Sequence, residues 1–295
     1  MQRSRQRPRP VFSSALALGL AAGLSLASVT FAPAPARADD AATHYNLALQ
    51  HKREGKTAEA ISECERALQL RPDYAAARLT LGNLFRSKGD YARAAGEYEK
   101  AVKLQPKDAT ARANLGAAYV RLKRVDDGIR ELEAAIELKP DEYEARVSLG
   151  FAYKQKGDYR HAIEHLQKAT ELKPDDPQAW TNLGVSKSKT DDKDGAVAAF
   201  RKAITLNPED AALHFNLAVV YRRARKTDEA IAEYRLAVDK DPKYAPAWYD
   251  LGVLYSQEKK NAEARAAFEK YLEVGTNEDA ASRKEAEERL KSFKK

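Results

Sequence analysis

Two histidines, His161 and His165, stand four residues apart in the stretch HAIEH. On a helix, side chains at i and i+4 share one face, and two imidazoles so placed can chelate zinc. The spacing H-x-x-E-H is also used by some zinc peptidases, so one candidate function is metal-dependent hydrolysis. We expect instead a solvated helix face, because mostly charged residues occupy the equivalent positions of the repeat described below.

A second candidate site is the acidic stretch TDDKDG, which ends at Gly195. A calcium loop of the EF-hand kind needs oxygen ligands at loop positions 1, 3, 5 and 12, with glycine at position 6. With Gly195 at position 6, Asp192 and Asp194 take positions 3 and 5. Position 1 then falls on Thr190 and position 12 on Arg201, a cation where the bidentate carboxylate belongs. The stretch therefore predicts a turn between two helices.

No other motif in the sequence suggests catalysis. A phosphate-binding loop, a nucleophile elbow and a Cys–His pairing are all missing from it. The single cysteine, Cys64, allows no internal disulfide, and we expect it to be a small buried thiol. We therefore predict a protein that is not an enzyme, uses no cofactor and is held together by packing.

The elements that position these residues follow from a strictly periodic internal repeat. Its period is marked by six evenly spaced prolines: Pro72, Pro106, Pro140, Pro174, Pro208 and Pro242. With proline at position 32, the chain divides into seven units, which cover residues 41–74, 75–108, 109–142, 143–176, 177–210, 211–244 and 245–278.

Small and apolar residues recur at fixed positions of these units. Position 7 is leucine in all seven, and positions 8 and 20 are always glycine or alanine. Positions 4, 7, 8 and 11 lie on one helical face, and positions 20, 24 and 27 lie on one face of a second helix. Helices approach closely only where side chains are small, so we expect positions 8 and 20 to meet. Proline at position 32 predicts the end of the second helix.

These columns resemble the tetratricopeptide repeat family, whose unit is a helix–turn–helix of about 34 residues. The resemblance implies an all-α fold, a right-handed superhelical solenoid whose concave surface is lined mainly by the first helices. End units of such arrays need polar caps. Residues 279–295 fit a C-terminal capping helix and tail, with a narrow apolar stripe at Ala286, Leu290 and Phe293.

The N-terminal segment has the three zones of a secretory signal peptide. The basic MQRSRQRPRP precedes the apolar run VFSSALALGLAAGLSLASVTFA and then APAPARA, which ends in an A-x-A cleavage site at Ala38. We expect Sec-type export, removal of residues 1–38 and a periplasmic protein that is not inserted in the membrane. The alternative is an uncleaved anchor, because the apolar run is long enough to span a bilayer.

The charge of the chain argues against nucleic acid as a partner. The formal net charge is +7, but residues 1–38 hold five arginines and no acid. The remainder has 46 basic and 44 acidic residues. A nucleic-acid-binding domain needs a basic face on its folded part, so we expect a protein partner.

A row of asparagines is expected on the concave surface, at position 6. Its members are Asn46, Asn114, Asn182 and Asn216. An amide side chain has both a donor and an acceptor and can pair with a peptide unit. The row resembles the asparagine ladder with which some arrays of the family hold extended peptides. The alternative is that asparagine is simply the family's common residue at this position.

A basic row follows at positions 12 and 13. It consists of Lys52, Arg53, Arg86, Arg121, Lys154, Lys189, Arg222 and Arg223. A concave basic strip would attract an acidic segment. The alternative is a set of solvated helix ends, where basic residues interact favourably with the helix dipole.

The sequence thus predicts a protein–protein interaction scaffold of the cell envelope that binds an extended, acidic segment in its groove. The alternative is a signal-anchored structural subunit of a secretion, pilus or motility complex. Such a subunit would contact its partners through its convex face.

Overall fold

The computed structural model describes residues 34–275 and 280–293. Most of the predicted signal peptide, residues 1–33, lies outside the described residues. The described part of the chain forms fifteen α-helices and no strand. The helices are α1 (Ala34–Arg53), α2 (Thr57–Leu70), α3 (Ala75–Ser87), α4 (Tyr91–Leu104), α5 (Ala109–Arg121), α6 (Val125–Leu138), α7 (Tyr143–Lys156), α8 (Tyr159–Leu172), α9 (Pro177–Lys189), α10 (Lys193–Leu206), α11 (Ala211–Arg223), α12 (Thr227–Lys240), α13 (Ala245–Gln257), α14 (Asn261–Val274) and α15 (Ala280–Ser292).

The helices pack in chain order, which confirms the predicted all-helical solenoid. Each odd-numbered helix from α1 to α13 packs on the helix that follows it, and each such pair packs on the next pair. The first helices α5 and α7 also contact each other directly. At the C-terminal end, Ala286 of α15 is fully buried, and Leu290 and Phe293 pack with it against α14. At the other end, Leu47 of α1 is exposed, because no earlier repeat covers it in the described chain.

Each second helix of the first six units ends two residues before its proline, as in α4, which ends at Leu104 before Pro106. The turn inside each unit depends on one residue at position 15. Its φ is positive in all seven units, at 74° to 78° for the three glycines and 58° to 65° for the four other residues. They are Gly55, Gly89, Lys123, Gly157, Asp191, Arg225 and Lys259.

The small residue at position 8 makes room for the side chain at position 24. A Cβ built on Gly82 would lie 2.5 Å from the ring of Tyr98, and one on Gly150 would lie 2.4 Å from Leu166. Contact between positions 8 and 20, which the sequence predicted, is seen in the third unit. There a Cβ on Gly116 would lie 2.8 Å from the backbone oxygen of Gly128.

Position 4 joins each unit to the one before it. The sequence predicted a packing position, and the residue there also carries an N–H group that faces the carbonyl oxygen of the preceding proline. Trp180 Nε1 donates to Pro174 O at 2.9 Å, and Arg112 Nε donates to Pro106 O at 2.8 Å. The same contact recurs at the other joints, between Arg78 and Pro72, Arg146 and Pro140, His214 and Pro208, and Trp248 and Pro242.

Position 4 also pairs with position 23 of its own unit. Arg112 forms an ion pair with Glu131 at 2.6 Å, and His214 lies 2.8 Å from Glu233. Where position 4 is tryptophan, position 23 is alanine, as in Trp180 and Ala199. Position 23 was predicted to be a solvated outer column, and this was wrong for the members that the joint covers. Position 4 lies over them, so that Glu63 is only 6% exposed, and His165, its counterpart in the fourth unit, only 8%.

The fourth unit lacks a carboxylate at this joint. Arg146 Nη1 lies 3.3 Å from His165 Nδ1. Burial, together with the charge of Arg146, lowers the pKa of His165 below its usual value. The ring of Tyr153 stacks on both His161 and His165, with centroids 5.1 and 5.6 Å away.

Gly116→Ala should destabilise the fold by about 1–3 kcal/mol, because the added methyl meets the backbone of the facing helix. The matched control is Gly96→Ala, where a Cβ has no neighbour within 4 Å, and there we expect a gain of about 0.5–1 kcal/mol. Chemical denaturation of both variants tests this. Equal effects of the two substitutions would contradict the close approach.

The joint at His165 should make stability depend on pH. Because the pKa of His165 is lowered in the folded chain, the unfolded chain binds its proton first as pH falls below about 6.5. The free energy of unfolding should therefore decrease below that pH in the wild type. His165→Gln should make this decrease in the free energy of unfolding smaller. Chemical denaturation from about pH 7.5 to about pH 5, the range in which histidine changes its charge, tests this. If His161→Gln reduced the decrease equally, the effect would not come from this joint.

Candidate functional site

A cavity of about 660 Å³ opens on the first helices of units two to five. Its volume is typical of ligand pockets, which run from about 300 to 1,000 Å³. Helix α3 contributes three residues, α5 three, α7 three and α9 two, and one residue comes from the start of α4. In chain order they are Asn83, Arg86, Ser87, Tyr91, Ala117, Val120, Arg121, Val147, Ser148, Phe151, Gln178 and Asn182.

The cavity brings together three of the nine predicted site residues, Arg86, Arg121 and Asn182. Lys154 joins them through a hydrogen bond to Asn182. The other five do not line the cavity: Asn46, Asn114, Lys189, Asn216 and Arg222.

The four asparagines of the predicted ladder differ in accessibility. Asn46 is exposed, and Asn182 and Asn216 are half-buried. Asn114 is only 9% exposed, so little of it can reach a ligand. The Oδ1 atom of Asn182 accepts a hydrogen bond from Lys154 Nζ at 2.6 Å, which leaves mainly its amide N–H groups for a bound peptide.

The basic row and the asparagine row are physically coupled at two joints, where position 12 of one unit contacts position 6 of the next. Lys154 bonds to Asn182 in this way, and Arg222 Nη1 lies 3.1 Å from Asp250 Oδ1. Asp250 also accepts a hydrogen bond from the hydroxyl of Tyr234 at 2.7 Å. The two rows look independent in the sequence, although the constant offset between their columns could have revealed this relation.

This coupling divides the basic row into neutralised and unneutralised cations. Arg222 is paired with Asp250, and Arg223 lies 3.6 Å from Asp191. Within the described residues, Arg86 and Arg121 have no carboxylate within 4 Å. Arg121 is instead held by Tyr91, since Nη2 donates to the tyrosine hydroxyl at 3.3 Å and the guanidinium lies 5.2 Å from the ring centroid.

Lys154 also has no carboxylate partner in the part of the chain described, like Lys52, Arg53 and Lys189 of the same row. Its Nζ lies 5.0 Å from the ring centroid of Phe151, a cation–π distance. Burial lowers the pKa of Lys154. The amide oxygen of Asn182 carries no charge, so it satisfies a hydrogen bond but does not neutralise the ammonium group.

Neither sequence motif with metal-like spacing forms a metal site. His161 Nδ1 is bonded to Asp158 Oδ2 at 2.6 Å, whereas His165 faces Arg146, a cation that disfavours a metal ion. In the acidic stretch, Asp192 caps α10 through the N–H of Gly195 and pairs with Lys187 at 3.0 Å. Among the described residues, no group of three or more His, Cys, Asp or Glu side chains could hold a metal ion.

The single cysteine is not placed for chemistry. Cys64 is fully buried, and burial raises the pKa of its thiol to about 12, which keeps it in the unreactive protonated form.

Within residues 34–275 and 280–293, no helix combines the length and the apolar character needed to cross a bilayer.

Comparison with family models decides the family. Models described as TPR repeat or tetratricopeptide repeat match residues 41–74, 82–123, 109–142, 152–190, 186–245 and 221–287. The chain belongs to the tetratricopeptide repeat family. Proteins of this family are generally scaffolds for protein–protein interaction, and the fold is typically non-enzymatic. A comparison with curated proteins gives no match.

Solved structures of other tetratricopeptide repeat proteins share the fold. MamA from Desulfovibrio magneticus RS-1 is 26% identical over 58% of this chain and 96% of its own, with a TM-score of 0.53. A tetratricopeptide repeat protein from Parabacteroides merdae is 19% identical over 87% of this chain and 100% of its own, with a TM-score of 0.60. YrrB, described as a TPR protein with an unusual peptide-binding site, is 23% identical over 67% of this chain and 97% of its own, with a TM-score of 0.55.

Asn182→Asp should place a carboxylate beside Lys154 and reproduce the pair that Arg222 forms with Asp250. We expect the pKa of Lys154 to rise and the fold to gain about 0.5–1 kcal/mol at low salt. Denaturation at low and high ionic strength and NMR titration of Lys154 would measure both effects.

The control is Asn216→Asp, because position 12 of the unit before Asn216 is Ser188 and not a cation. No gain is expected there. An equal gain at both positions would show that the coupling between positions 12 and 6 does not determine the charge of the groove.

Proposed function

We propose that this protein is an interaction scaffold that binds an extended segment of a partner protein in the groove formed by its first helices. The observation that carries the proposal is the cavity across units two to five, where Arg86 and Arg121 face solvent without a carboxylate partner among the described residues. A folded domain generally pairs or solvates its charges, and cations gathered in a concave cavity raise the local concentration of an anionic partner.

The groove also offers hydrogen-bonding groups for a peptide backbone. Asn182 and Gln178 of α9 line one end of the cavity, and Asn83 and Ser87 of α3 line the other. An extended segment has no internal hydrogen bonds, so its N–H and C=O groups need partners when it is bound. Side-chain amides provide both donor and acceptor. These groups therefore suit an extended chain better than a compact small molecule.

We further propose that the protein acts in the cell envelope after export. This rests on the N-terminal sequence, with its basic, apolar and A-x-A zones. The partner would then be another envelope protein. Asn46, Asn216 and Lys189 lie outside the cavity. Their predicted role in peptide binding would be to contact a bound segment that extends beyond it.

Site-specific photo-crosslinking in cells tests where the partner binds. A photoreactive residue replaces Ser87 or Gln178, which are exposed and line the cavity, or Arg160 of α8, which is exposed outside it. We expect crosslinked partner from the two cavity positions and none from Arg160.

Crosslinking from Arg160 alone would overturn groove binding and favour the alternative of a structural subunit that uses its convex face. Absence of crosslinks at all three positions would also contradict the proposal. The mass of the recovered chain reports on processing in the same experiment, because removal of residues 1–38 leaves Asp39 as the first residue.

A further inference from the structure

The composition of the cavity indicates the charge of its ligand. The twelve lining residues include two arginines and no aspartate or glutamate. The neighbouring grooves along the second helices are different, since the one at units one and two combines Arg78, Arg93 and Lys100 with Glu65 and Glu97. The concave cavity is therefore positive while the outer grooves are mixed.

The nearby acidic residues do not correct this imbalance. Glu99, which approaches from α4, accepts a hydrogen bond from Tyr119 at 2.7 Å and does not reach Arg86 or Arg121. Asp126 of α6 is paired with Lys156 at 2.7 Å. Lys154, which bonds Asn182 at the edge of the cavity, adds a positive charge. The carboxylates of a ligand would supply the negative charges that Arg86, Arg121 and Lys154 lack in the described chain.

The floor of the cavity is apolar. Val147 and Phe151 of α7 are half-buried, as is Ala117 of α5, and Val120 is buried beneath them. The Lys154 ammonium lies 5.0 Å from the ring centroid of Phe151, and the other apolar surface of this floor lines the open cavity. Covering this surface with one large apolar side chain of a ligand removes it from water, which favours binding.

The positions of the two arginines set the order of the ligand's charges. Arg86 lies on α3 and Arg121 on α5, the first helices of consecutive units, and Val147 and Phe151 lie on α7 of the next unit. An extended segment that crosses these helices in order therefore meets Arg86, then Arg121 and then the apolar floor. Its carboxylates are expected on one side of its apolar residue.

Resting on the groove-binding function proposed above, we propose that this cavity selects an acidic peptide segment with one large apolar side chain. The apolar side chain packs against Val147 and Phe151. Acidic residues on the side of it that lies over α5 and α3 pair with Arg121 and Arg86. Tyr91 fixes the guanidinium of Arg121 in advance, which reduces the entropy lost on binding.

Selection from a random peptide library displayed on phage tests this directly. The full-length protein is immobilised and the enriched peptides are sequenced. We expect enrichment of Leu, Ile, Phe, Trp or Met with Asp or Glu residues on one side of it. Enriched peptides that are basic, or that lack the apolar residue, would overturn the proposal.

Variants then assign each feature to its residues, with a selected peptide as the probe. Arg86→Glu/Arg121→Glu should weaken its Kd by roughly 10- to 100-fold or more, because two charge-assisted hydrogen bonds are lost. Phe151→Ala should weaken the Kd by roughly 10-fold. If Phe151→Ala unfolds the chain, Val147→Ala is the smaller truncation that replaces it. The control Lys103→Glu/Arg160→Glu changes the net charge equally at exposed positions outside the cavity and should leave the Kd unchanged. Equal weakening by this control would show attraction to net charge alone and would overturn the site.

The same selection separates failure of this inference from failure of the proposed function. If peptides are enriched and lose binding to the cavity variants but share no apolar–acidic pattern, groove binding stands and the ligand class is wrong. If no peptide is enriched, or if enriched peptides bind all variants equally, the cavity does not select a segment and both proposals fail.

Discussion

The hydrogen bond between position 4 and the preceding proline carbonyl is the contact on which the regularity of the array depends. Proline ends each second helix but leaves a carbonyl at the joint, and a first helix must begin within a few residues. An N–H of arginine, histidine or tryptophan reaches that carbonyl at all six joints, as Trp180 does at Pro174. Three different side chains share only the N–H group, so the donor, and not the apolar bulk, is the constant requirement. Because each joint is closed by the same short link, successive units are placed in the same relation.

At two joints, position 12 of one unit contacts position 6 of the next. What this contact does is then decided by residue type. A carboxylate at position 6, as in Asp250, neutralises the arginine of the preceding unit. An amide, as in Asn182, holds the lysine but leaves its charge. The charge of the concave surface is therefore set by a few side chains, while the fold beneath them is set by leucine, glycine, alanine and proline.

The fold could be predicted from sequence because its causes lie in single columns. An invariant leucine, a small residue at a helix crossing and a proline at a helix end each act at one position, and periodicity makes them visible. The joints and the groove depend instead on pairs of positions in different helices, so no single column reveals them. Column by column, position 4 belonged to a packing face and position 23 to a solvated one, yet Arg146 and His165 at these positions face each other in the structure. The left-handed turn at position 15 was also missed, since four of its seven residues are not glycine.

The same pairing explains why the candidate site does not extend into unit six. In unit six, Arg222 and Arg223 are engaged by Asp250, Asp191 and the backbone of Ser188, so a ligand would have to displace internal contacts to use them. Arg86 and Arg121 have no carboxylate partner in the described chain that a ligand would have to displace, and Tyr91 already orients Arg121. A cation that is positioned but not neutralised binds an anion without first losing a partner. An array of nearly identical units thus acquires one site because the contacts between its units are unequal.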